Sequence, residues 1–249
     1  QKRLQEMAWA VGSVGGDHAV HEEPASLIFI NKLDRALQAV RQLDSVTLGE
    51  VLREAEIELG PQGVLQRVIA PLMQMIGEQW REGLITAAHE HFASAVIRIF
   101  LGHAARPFAA SPDAPVLTVA TPTGQLHELG ALLVGAYAAN LGWKVVYLGA
   151  SLGAADIAGA SLQNRTQALA LSLVYPDDDP QLGAELVRLR EALPGVPIIA
   201  GGRAVSSYLT ALEKIKAINV TDLTSFGRVL DGLRKRGTGG LAATSLGSG

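Results

Sequence analysis

The chain contains no cysteine. Disulfides, thiolate metal sites, cysteine nucleophiles and cofactors attached through thioethers are therefore excluded. It also lacks an excess of positive charge. Lys and Arg number 21 against 24 Asp and Glu, a net charge of −3, which argues against direct nucleic-acid binding by this chain, because phosphate binding needs a basic surface. No apolar run reaches the ~18 residues of a membrane span. The opening segment QKRLQEMAWAVGSVGGDH reads as a poor secretory signal, since Gln5 and Glu6 interrupt a short apolar stretch. A cytoplasmic location with no membrane partner is the expectation. What the 249 residues do contain is apolar content, 48% against 18% charged, enough for one large or two small globular domains.

Residues 1–23 end in Gly, Ser and charge without a sustained period and read as a loose lead-in. Four helices follow. Ser26 to Leu43 carries apolar residues at helical spacing. Thr47 to Leu59 is stopped by Gly60, and Pro61 suits the first turn of a third helix. That helix repeats Val64, Leu65, Val68, Ile69, Leu72, Met73, Ile76 and Trp80, and Gly83 ends it. Thr86 is the N-cap of a fourth, running to about His103. Four helices with short connections predict a bundle over residues 24–108. The Pro- and Ala-rich stretch from His103 to Val116 marks a domain boundary.

Beyond it, Val116–Thr121, Lys144–Gly149, Ala168–Val174 and Val196–Gly202 read as short apolar strands, with Ala217–Val220 as a weaker fifth. Strands that are apolar throughout and alternate with helices predict an α/β domain over residues 114–236, its sheet parallel and covered on both faces. Such sheets bind ligands at the carboxyl ends of their strands, where His127, Gly149, Ser172 and Gly201-Gly202 fall. The Gly- and Ser-rich residues 237–249 read as a flexible tail. His18 and His21 read as exposed loop residues, and Tyr175 to Gln181, YPDDDPQ, as a solvated turn with an N-cap because it lacks Ca²⁺-loop spacing.

The first strand-to-helix turn, Thr-Pro-Thr-Gly-Gln-Leu-His-Glu-Leu-Gly, is not a Gly-x-Gly-x-x-Gly dinucleotide loop. No Gly-Lys-Ser/Thr phosphate loop and no Gly-x-Ser-x-Gly nucleophile elbow occurs either. The turn carries His127 three residues before Gly130, where a left-handed turn or a close backbone approach is tolerated. One His cannot build a protein-only metal site. A metal at His127 would have to arrive in a macrocycle.

Gln125-Leu126-His127-Glu128-Leu129-Gly130 resembles the Asp-x-His-x-x-Gly signature of cobalamin-binding domains. Ser172-Leu173-Val174 is similar to that family's Ser-x-Leu/Val element, and the Gly201-Gly202 pair follows in order. The resemblance covers roughly Ser26 to Arg236. It implies a flavodoxin-like, Rossmann-type domain in which His127 replaces the vitamin's own base as the lower cobalt ligand. Thr123, Gly124, Gln125, Leu126, Glu128 and Gly130 would lie around the cofactor. Ser172, Val174, Gly201 and Gly202 would line the slot for its nucleotide tail. The family's Asp is Gln125 here. An Asp would hydrogen-bond the imidazole and raise its basicity; Gln125 is expected to hold its orientation with less electron push.

From Trp80 the chain reads WREGLITAAHEHFASAVIRIFL. A Trp, nine residues, then Glu90-His91 resembles the motif of the cobalamin-dependent photoreceptor regulators, the CarH and LitR group. This implies a helical cap over the sheet domain, with Trp80, Glu90 and His91 lining the upper cobalt face around an adenosyl group. It further implies adenosylcobalamin as cofactor, light cleaving its cobalt–carbon bond, and a response in conformation or in a homo-oligomeric state, dimer or tetramer. Arg81 stands where the group's best-known member has a cobalt-capturing His, so water, His91 or His89 is expected there instead. Residues 1–25 hold no recognisable DNA-binding domain. Related photocobilin sensors pair the fold with a bilin, which without cysteine would be noncovalent biliverdin. A corrinoid carrier for a methyltransferase is the other alternative. Independent enzyme activity is not expected, because the chain has no room for a substrate barrel.

Overall fold

A computed structural model of the chain describes residues 23–104 and 111–243, with side chains for 30–103 and 111–236. The readings of residues 1–22 with His18 and His21, of the middle of the interdomain stretch, and of residues 244–249 lie outside the described residues. The chain divides into two compact units between Phe100 and Leu101.

The first unit is helical. Helix α1 spans Glu23–Gln42 and α2 spans Ser45–Val64, followed by one π turn over Leu65–Ile69 and by α3, Ala70–Arg81. Helix α4, Ala87–Ala104, begins in this unit. Asp44 caps α2, its carboxylate accepting from the N–H groups of Val46 and Thr47. Inside α2 the backbone leaves helical geometry at Gly60, φ 72° and ψ 171°, and Pro61 restarts it with the fixed φ a first turn needs. The core joins Leu33, Leu37 and Val40 to Leu48, Val51 and Leu52, and to Leu65, Val68, Ile69, Leu72, Met75 and Ile76. Met75 is buried where the sequence pointed to Met73, which is half-buried. Met73 follows Leu72 directly and so lies about 100° around the helix from it, whereas Met75 returns to its face. Between α1 and α2, nearly buried Lys32 reaches Glu54 at 2.7 Å and Glu58 at 2.9 Å, and Arg35 reaches Glu54 at 2.7 Å.

The second unit alternates strand and helix: β1 Val116–Ala120, α5 Leu129–Asn140, β2 Lys144–Tyr147, α6 Ala154–Gln163, β3 Ala168–Ser172, α7 Leu182–Ala192, β4 Ile198–Gly201, a 3-10 turn Arg203–Tyr208, α8 Leu209–Lys214, β5 Ile218–Val220 and α9 Leu223–Ala243. All neighbouring strands are parallel, in the order β2-β1-β3-β4-β5. The order reverses between β1 and β3, which makes the crevice outside their carboxyl ends the topological switch point of the sheet. Strand β3 is buried along its whole length, as a central parallel strand requires. One core layer packs Leu169, Leu171, Ile198 and Ala200 against Leu182, Leu186, Leu189 and Leu212. Helix α9 runs to Ala243, past the tail boundary expected at residue 237. The glycines there lower helix propensity, but no proline stops the helix.

Candidate functional site

Strand β1 delivers the chain to the switch point at Ala120. The loop that follows is knitted to the loop after β2. Buried Thr121 donates its hydroxyl to the Gln125 carbonyl and accepts from the Ser151 N–H at 2.9 Å. Gly124, at φ 84°, donates its N–H to the Ser151 hydroxyl at 3.1 Å, and a Cβ there would lie 2.9 Å from an Asp179 carboxylate oxygen.

Gln125 has no exposure to solvent. Its Oε1 accepts from the N–H groups of Val174 at 2.7 Å and Tyr175 at 3.0 Å, and its Nε2 donates to the Pro176 carbonyl at 2.7 Å. This corrects the expected contact, not the expected role. The side-chain amide is spent on the β3 loop and does not hydrogen-bond the imidazole. Three residues on, Glu128 is anchored on the other side, accepting from the Tyr147 hydroxyl at 2.6 Å. Between these anchors Leu126 and His127 are exposed. The His127 ring makes no hydrogen bond among the described residues. It lies edge-on to Tyr175, ring centroids 5.9 Å apart at 81°.

Gly130 sits in the first turn of α5 with helical backbone, not the left-handed turn the sequence allowed. It is needed for a close approach: a Cβ would lie 2.7 Å from the Ser172 hydroxyl oxygen and 4.0 Å from Val174. Ser172 pairs in register with Gly201. Gly202 has φ 112°, and a Cβ on it would stand 2.3 Å from the Leu173 carbonyl oxygen. The fold thus gathers Gly124, Gln125, His127, Gly130, Ser172, Val174, Gly201 and Gly202 at the carboxyl end of the sheet, with exposed Thr123 beside them. Among the described residues no cluster of three His, Cys, Asp or Glu side chains could hold a metal ion.

The helical unit carries the other set. Trp80, one residue from the end of α3, is 44% exposed, too open for a plain core residue. Glu90 joins two neighbours in the first turn of α4: its carboxylate meets His91 Nδ1 at 2.8 Å and accepts from the Ser94 hydroxyl at 2.7 Å. His91 is otherwise exposed. His89 is engaged at the helix start, its Nδ1 accepting from the Thr86 N–H at 3.2 Å.

Reading by motif missed Ser151, Tyr147, Tyr175 and Tyr208. Tyr175 follows the Ser172 element immediately, and that adjacency was its only signal. Tyr208 donates its hydroxyl to the Pro176 carbonyl at 3.2 Å and accepts from the Asp179 N–H at 2.8 Å. Burial pushes its phenol above the ordinary value. The Asp179 N–H opposes that shift, and the carboxylates of Asp179, Asp178 and Asp177 add to it.

Two family models, each described as a B12 binding domain, match residues 32–104 and 115–221. Among curated proteins, the HTH-type transcriptional repressor CarH of Myxococcus xanthus is 32% identical over 183 residues, 72% of this chain and 60% of that protein. The HTH-type transcriptional repressor CarA of the same organism is 28% identical over 184 residues, 74% of this chain and 62% of that protein. The chain therefore spans about three fifths of the curated relatives it matches. Among solved structures, the Methanosarcina barkeri monomethylamine corrinoid protein has the same fold, with a TM-score of 0.62 at 16% identity over 82% of this chain and 97% of that one.

Proposed function

The chain belongs to the B12-binding domain family, and on that premise we propose that it is an adenosylcobalamin-dependent light-sensing regulatory module with His127 as the lower cobalt ligand. One observation carries the reading: an exposed imidazole, without a hydrogen bond among the described residues, stands at the switch point of the sheet beside closely packed small residues. The residues fit the group. His127 presents an exposed ring that makes no hydrogen bond among the described residues, and Gly130 and Gly202 let the elements around it pack directly on the Ser172 hydroxyl and the Leu173 backbone. Ser172, Val174, Gly201 and Gly202 are proposed to line the path of the nucleotide tail. Thr123, Gly124, Leu126 and Glu128 are proposed around the corrin.

Trp80, Glu90 and His91 are proposed for the upper side of the cofactor. An exposed indole offers a flat apolar face, and a carboxylate already oriented by His91 and Ser94 can accept from a ribose hydroxyl. When bound, adenosylcobalamin supplies a cobalt–carbon bond that visible light breaks. Removal of contacts to Trp80 and Glu90 would then bias the helical unit toward a second arrangement and change self-association. The similarity to two transcriptional repressors supports a regulatory rather than an enzymatic role.

The test is an absorption spectrum and elution volume of the protein saturated with adenosylcobalamin, before and after green light, beside His127→Ala. Expected are an alkylcobalamin spectrum in the dark, its conversion and a changed elution volume in the light, and loss of the His-ligated spectrum in His127→Ala. Binding without any light response would overturn the sensor and leave a corrinoid carrier. A new red-absorbing band after expression with biliverdin would indicate the dual-chromophore alternative.

A further inference from the structure

The loops after β1 and β3 face each other across the switch point, and one buried side chain joins them. Gln125 takes three consecutive backbone groups of the β3 loop: the N–H of Val174, the N–H of Tyr175 and the carbonyl of Pro176. The Pro176 carbonyl receives a second donor, the Tyr208 hydroxyl, which also holds the Asp179 N–H. At the centre of the bound tripeptide is Tyr175, whose exposed ring meets the edge of the His127 imidazole. We propose that Gln125 is a positioning residue for His127: it clamps the β3 loop so that the Tyr175 ring, rather than a carboxylate, orients the imidazole.

The chemistry of the side chain explains why Gln stands here. The position needs an acceptor for two N–H groups and a donor for one carbonyl, and a primary amide supplies both. A carboxylate accepts only. It would set oxygen against the Pro176 carbonyl, and Asp is one methylene shorter as well. Without a partner at 125, two partly buried N–H groups would lose their acceptor, which costs free energy to the extent that water cannot replace it. His127 is itself exposed and unbonded, so its direction depends on its chain neighbours, tied down through Gln125 and Glu128, and on the Tyr175 ring.

The functional meaning of the clamp rests on His127 ligating cobalt, but the clamp can be read without the cofactor. In the full chain free of cobalamin, the His127 ring protons in a two-dimensional NMR spectrum should carry a ring-current displacement from Tyr175. Tyr175→Leu should abolish that displacement. Gln125→Ala should abolish it too, although it alters neither ring, and Gln125→Glu, which keeps the two acceptor contacts, should retain part of it. Unchanged His127 resonances in folded Gln125→Ala would overturn the proposal. If that variant does not fold, Gln125→Glu and Tyr208→Phe carry the test, since each removes one of the two donors to Pro176, and unchanged resonances in both would be equally decisive. In a cobalamin titration Gln125→Ala should weaken binding by about tenfold, the lower range for residues that orient a metal ligand. A wild-type protein that shows the clamp but no His-ligated cobalamin would sink the ligand assignment alone. Ligation in wild type with His127 shifts indifferent to residue 125 would sink the clamp alone.

Discussion

At the scale of single residues, close approaches explain more than side-chain chemistry does. Gly130 is where it is because the Ser172 hydroxyl would be 2.7 Å from a Cβ. Gly130→Ala should therefore cost about 1–3 kcal/mol through overpacking. In a Ser172→Ala background the nearest remaining atom is the residue-172 Cβ at 3.9 Å. The same change should then be neutral or stabilising, because Ala is favoured over Gly in a helix by about 0.5–1 kcal/mol. Urea unfolding of the four proteins checks this sign change, and equal costs in both backgrounds would refute the contact. The signature pattern made Gly130 and His127 legible from the sequence. The role of Gln125 was not, because its partners lie 49 to 51 positions away and nothing local distinguishes a Gln that faces an imidazole from one that faces a distant loop.

At the scale of elements, the helical unit combines apolar stripes with one ionic cluster. Arg35 and Lys32, by hydrogen bonds and then by charge, hold Glu54 down at about 2 from its ordinary 4.5, against a smaller opposing effect of burial. Lys32 is raised: burial pulls it down, and its bonds to Glu54 and Glu58 outweigh that pull. A depressed carboxylate stabilises the fold above its unfolded value and loses that contribution as pH falls through its folded value. Glu54→Gln should accordingly lower the thermal midpoint of the helical unit at neutral pH. The difference from wild type should shrink as pH falls below 4.5 and be lost as pH falls through about 2. Because Glu54 is partly exposed, the effect should be modest and reduced by salt. Thermal melts followed by circular dichroism across pH decide it, and a difference independent of pH would show that the charge is not its source. The break at Gly60 and restart at Pro61 could be read directly, since those residues act through their own backbone. The π turn at Leu65–Ile69 could not, because it alters one hydrogen-bond spacing and leaves the apolar period almost intact.

At the scale of the whole molecule, binding to the native state must raise its stability. With cobalamin at about a hundred times its Kd the gain is about 2.7 kcal/mol. His127→Ala should show a smaller gain at the same cobalamin concentration, with little change in the midpoint of the cofactor-free protein, because the exposed imidazole makes no hydrogen bond among the described residues. Differential scanning calorimetry over a cobalamin series measures both. A wild-type midpoint that does not move with cobalamin would contradict binding altogether.

By itself the sequence determined the five strands, the helices of the first unit and the helical-then-α/β order, because hydrophobic period and Gly or Pro punctuation act over a few residues. It also determined which His was the candidate ligand, through a local signature. Only the tertiary structure decided the strand order, and with it the switch point, since a parallel strand's neighbours depend on crossovers that periodicity does not encode. The same holds for Gln125. Its amide turns from the imidazole to the β3 loop because folding brings two N–H groups and a carbonyl of that loop to it, and satisfying a buried side-chain amide outweighs any preference a motif can express.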